Sequence, residues 1–72
     1  MDLIEHTSEE RLGREEAARR LRELADELSR HNEVPFVRDG VRYSVKVPNE
    51  VTYSFEIEVG ESGSEIEVEL KW

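Results

Sequence analysis

Five glutamates, Glu56, Glu58, Glu65, Glu67 and Glu69, are the residues whose type and spacing could do chemistry in this chain. They recur at every second position within 56–58 and within 65–69, so in two strands paired with Glu58 opposite Glu65 all would project from one face. A rank of carboxylates can bind a hard cation such as magnesium or calcium, whose preferred ligands are oxygens. It can also meet a basic partner surface, or simply stand in salt water and be screened. Carboxylates splayed on a flat sheet make a poor closed coordination shell, so no metal site is assigned. A glycosidase-type acid pair needs a cleft around it, and a chain of 72 residues leaves little room for one. His6 and His31 stand far apart with no ligand pattern near them, and Thr52, Ser44 and Ser54 have no evident base. Neither a phosphate loop, a dinucleotide fingerprint, a zinc-protease helix nor a nucleophile elbow is present. The expectation is therefore no catalytic residue, no cofactor and no enzyme.

The elements that would position these glutamates are strands. In the closing stretch, Glu65-Ile66-Glu67-Val68-Glu69-Leu70-Lys71-Trp72, apolar and charged residues alternate without a slip. Ile66, Val68, Leu70 and Trp72 fall on one face and the acids on the other. Val51, Tyr53, Phe55, Ile57 and Val59 repeat the pattern, as do Val41, Tyr43, Val45 and Val47. Strands are expected over about 34–38, 41–47, 51–59 and 64–72. Asp39-Gly40 is a two-residue hairpin signal, Pro48-Asn49-Glu50 a turn, and Gly60-Glu61-Ser62-Gly63 a second hairpin loop. Three registers then agree with one another. Arg38 opposite Val41 brings Phe36 to Tyr43; Val47 opposite Val51 brings Tyr43 to Phe55; Val59 opposite Ser64 brings Ile57 to Ile66 and Val51 to Trp72. A one-residue slip would scatter the apolar side chains over both faces. The same registers put Glu58 across from Glu65 and Glu56 across from Glu67, and like charges directly opposite are destabilising.

Before the strands the period is 3.6. Ala17, Leu21, Leu24 and Leu28 make one stripe, flanked by Ala18 and Ala25, the width expected of a helix lying on a sheet. Gly13 suits the N-cap, so the helix is expected over about 14–30, with Asn32 free to take a left-handed cap. Its outer face carries Glu15–Arg19, Glu16–Arg20, Arg19–Glu23, Arg22–Asp26 and Asp26–Arg30 at i,i+4. Residues 2–8 are left as an edge strand. The fold class is then α+β, a two-layer domain over 1–72 in the order β-α-β-β-β-β. One amphipathic helix packs on a one-sided antiparallel sheet of four to five strands.

Composition bounds the partners. The net charge is −8, from 18 acidic and 10 basic residues. That disfavours nucleic acid, whose affinity comes largely from Lys and Arg on phosphates, and anionic membranes equally. There is no cysteine, hence neither disulfide nor thiolate metal site. No apolar run approaches about 18 residues and no secretory pattern opens the chain, so a cytoplasmic location is expected. The few lysines and many acids suit a high-salt cytoplasm. Trp72 has two readings: it closes the core against Val51, or it offers an aromatic anchor to a partner. The leading expectation is a non-enzymatic interaction module, with an unknown protein or a second copy as partner. Its candidate face is Glu56, Glu58, Glu65, Glu67, Glu69 and Trp72. The alternative is a small-ligand or cation-binding domain using the acids.

Three stretches carry a family resemblance. They are Arg14-Glu15-Glu16-Ala17-Ala18 with Leu21-Arg22-Glu23-Leu24-Ala25, then Val47-Pro48-Asn49-Glu50-Val51, and the closing stretch through Trp72. On these the chain resembles the amphi-Trp domain family, small archaeal and bacterial proteins named for an amphipathic stretch ending in tryptophan. Gly13 departs from the serine such a helix start would carry. The resemblance implies a compact domain of uncharacterised function, similar in its acidity to haloarchaeal proteins, and it implies no catalytic residue.

Overall fold

The computed structural model describes residues 3–72. Among them run α1 (Arg14–Arg30), β1 (Glu33–Arg38), β2 (Val41–Lys46), β3 (Thr52–Val59) and β4 (Ser64–Lys71). The fold is α+β, and the helix comes first.

Helix α1 begins where the stripe begins. Gly13 sits at the N-cap in extended conformation, and its carbonyl accepts from the Ala17 N–H at 3.0 Å. Glu15 and Glu16 occupy the first turn and Arg30 the last, as the helix dipole favours. The end differs from the expected left-handed cap at Asn32. His31 is the C-cap, extended at φ −132°, and donates its N–H to the Glu27 carbonyl at 2.9 Å. The chain passes directly into β1, and the Asn32 carbonyl is used elsewhere: it accepts from the Val47 N–H at 2.7 Å. On the outer face Arg19 bridges Glu16 and Glu23, and Arg20 bridges Glu10 and Glu16. Hydrogen bonding from Arg19 holds the Glu16 carboxyl below the usual carboxylate range, and the bond to Glu10 raises Arg20. The depressed carboxyl contributes stability above its unfolded pKa, and that contribution fades as pH falls. These groups are exposed, so the effect is small.

Residues 3–12 do not form the edge strand expected over 2–8; Asp2 lies outside the described residues. Leu3 and Ile4 are adjacent and no apolar residue follows them before Leu12, so no one-sided strand exists to be made. The segment instead crosses the first hairpin, where the His6 ring lies 5.2 Å from that of Phe36.

Strands β1 and β2 pair antiparallel in the expected register, Arg38↔Val41 through Phe36↔Tyr43 to Glu33↔Lys46. Asp39 and Gly40 both take positive φ, 52° and 75°, the requirement of a type I′ turn. Gly40→Ala puts a Cβ on left-handed backbone, which costs roughly 1–2 kcal/mol. Urea unfolding should show a loss of that size, with Asp39→Gly neutral or stabilising. Strands β3 and β4 also pair as expected, from Val59↔Ser64 through Ile57↔Ile66 to Thr52↔Lys71.

The two hairpins do not join. Among the described residues there are two two-stranded sheets, β1-β2 and β3-β4, in place of one continuous sheet. Val47 does not close onto Val51. A three-residue hairpin loop ordinarily needs a residue in left-handed conformation, commonly glycine. Pro48-Asn49-Glu50 ends on Glu50, and Asp39 is the one described non-glycine residue with positive φ. The bond from Val47 to Asn32 also ties the exit of β2 to the end of α1.

The consequence is an expanded chain. Its accessible surface is 7094 Å², against about 4,600 Å² for a folded chain of 8.4 kDa. Its radius of gyration is 14.2 Å, against about 11 Å for a compact domain of this length. No described residue is buried. The compact two-layer packing expected from the sequence is therefore not closed within one chain.

Candidate functional site

The acidic face forms as the register requires. Glu56 stands opposite Glu67, Glu58 opposite Glu65, and Ser54 opposite Glu69. All five glutamates are exposed. Lys71 Nζ approaches Glu69 at 3.3 Å and offsets one charge at the end of the rank. Among the described residues no three acids or histidines gather closely enough to hold a metal ion. Near the hairpin tip, Glu58, Gly63, Ser64 and Glu65 line a shallow open depression of about 260 Å³. The histidines do not join them. His6 lies on Phe36, and His31 ends α1. Cross-strand pairs are worth roughly 0.2–1 kcal/mol. Glu67→Gln should therefore raise stability by that order in dilute buffer. The gain should vanish near 1 M salt, where screening acts within about 3 Å.

The opposite face of the same hairpin is apolar and open. Tyr53, Phe55 and Ile57 on β3 face Leu70, Val68 and Ile66 on β4. Ile57 is 58% exposed and Ile66 68%. The helix stripe shares this condition: Leu21 is 61% exposed, and only Leu28 in the stripe is half-buried. Near the helix end the two surfaces line one apolar cleft of about 430 Å³, with Leu21, Leu24 and Leu28 on one side and Tyr53, Val68 and Leu70 on the other. Trp72 stands one position beyond the last pair, Thr52↔Lys71, and is 60% exposed. It does not close a core against Val51.

The expected interaction residues thus divide between two faces. The glutamates lie on the outer face, and the uncovered apolar surface lies on the inner one. Periodicity puts Phe55, Ile57, Ile66, Leu21 and Leu24 in a core, yet all are exposed, because alternation does not say what supplies the cover.

One amphipathic helix and two antiparallel hairpins that display their apolar faces define a small open α+β module. The chain belongs to the amphi-Trp domain family, whose model matches residues 2–72. Neither the curated proteins nor the solved structures contain a match to it. No helix among the described residues is long and apolar enough to cross a membrane.

Proposed function

We propose that this chain is a non-enzymatic protein-interaction module that binds through the apolar face of β3–β4 and the helix stripe beside it. The observation that carries this reading is the uncovered row Phe55, Ile57, Ile66 and Val68, continuous with the cleft under α1. Exposed apolar patches of this extent mark interaction sites on soluble chains. Trp72, at the edge of the same surface, is the aromatic type enriched among interface anchors. The net charge of −8 favours a protein partner over nucleic acid or an anionic membrane. The acid rank on the outer face suits a cytoplasm of high salt, where screening removes its cost.

Small-angle scattering together with binding of an apolar dye tests the reading. The expected result is either a chain held in a complex or a free chain with a radius of gyration near 14.2 Å that binds dye. A free compact monomer near about 11 Å that binds no dye would leave no apolar surface for a partner and would overturn it.

A further inference from the structure

We infer that the occupant of the open apolar surface is a second copy of this chain, with the β3–β4 hairpin of each copy lying along β2 of the other. The inference rests on the interaction-module reading and names its partner. Three observations carry it.

The first is area. The chain exposes 7094 Å², an excess of about 2,500 Å² over a compact chain of its mass. Two copies that cover this excess would bury about 5,000 Å², the range of obligate dimers. A small ligand in a cleft of about 430 Å³ would leave most of the surface wet.

The second is edge complementarity. Among the described residues β2 is paired only with β1, and β3 only with β4. The register with Val47 opposite Val51 sets Tyr43 against Phe55 and Val41 against Ile57, all on the apolar face. On the outer face it sets Arg42 against Glu56, a second basic neighbour for the acid rank beside Lys71 at its far end. Both members of this matched pair of edges belong to one chain. Two copies related by a two-fold axis therefore satisfy both edges twice and close the assembly, the symmetry rule of exchanged dimers.

The third is the connection. Residues 47–51 do not make the turn that would let β3 fold back on its own β2. Val47 is held to Asn32 at 2.7 Å, and Glu50 occupies the loop position where a left-handed residue is wanted. The segment leaves β2 without pairing β3 to it.

A cysteine pair tests the exchange, since the chain has no cysteine of its own. Ser44 and Ser54 come directly opposite in this register, both exposed, at a spacing that a disulfide spans. The S44C/S54C double variant, oxidised at micromolar concentration, is expected to run as a covalent dimer on a non-reducing gel and as a monomer after reduction. S44C and S54C mixed as single variants should give the same dimer, and neither alone should. A disulfide formed inside a monomer would overturn the exchange and the interaction reading together. A dye-binding monomer that forms no disulfide would overturn the second copy as occupant while leaving the interaction reading standing.

Discussion

Ile57→Asp is expected to break the proposed two-chain assembly into single chains. Ile57 lies mid-strand opposite Ile66, and in the exchanged arrangement it faces Val41 of the second copy. In a single chain it is largely exposed, so the new carboxylate stays hydrated and the β3–β4 hairpin keeps its ladder. In the assembly the carboxylate would sit among apolar side chains, between Val41 and Ile66. An unpaired buried charge costs roughly 3–5 kcal/mol, and each copy carries one. Sedimentation equilibrium should show association weakened by at least about 100-fold, taking about 1.4 kcal/mol per tenfold. Glu58→Gln, the neighbouring change on the outer face, should leave association intact. Circular dichroism separates loss of assembly from loss of fold, because the Ile57→Asp chain retains its helix signal.

Glu50→Gly is expected to act in the opposite sense, by closing the chain on itself. The 48–50 connection has a proline suited to its first position but no residue suited to left-handed backbone at its third. Glycine there removes a penalty of roughly 1–2 kcal/mol per chain. The hairpin can then fold back along its own β2, in the same register that two copies otherwise share. The expected product is a compact monomer of one chain mass with a radius of gyration of about 11 Å. Glu50→Ala shortens the side chain without relieving the backbone, so it should leave the assembly as it is. The contrast between glycine and alanine assigns the effect to conformation and not to the lost carboxylate.

Local features of this fold are legible from local sequence. Asp39-Gly40 admits only a tight hairpin, which sets Arg38 against Val41 and hence every pair in β1–β2. Gly60 and Gly63 do the same for β3–β4, so the opposition of Glu56 to Glu67 and of Glu58 to Glu65 follows from counting. The helix limits follow from the Ala17–Leu28 stripe and the change of period after Arg30. The joining of the hairpins is not legible in that way. Tyr43 and Phe55 alternate identically whether they meet within one chain or across two, and the hydrophobic effect has no direction that would distinguish them. The distinguishing signal is the turn chemistry at Glu50, a single backbone preference among many side-chain preferences. Trp72 illustrates the same limit. Its alternation places it on the apolar face, but the ladder ends at Lys71, and Trp72 stays 60% exposed. Residues 3–8 show the converse: two adjacent apolar residues, Leu3 and Ile4, do not make a one-sided strand, and the segment crosses the hairpin instead.

The mass of the chain in solution, measured by light scattering on a size-exclusion column over a range of micromolar concentrations, tests the central claim most directly. A constant mass of twice the 8.4 kDa chain is predicted. A constant mass of one chain, eluting as a compact particle, would contradict it.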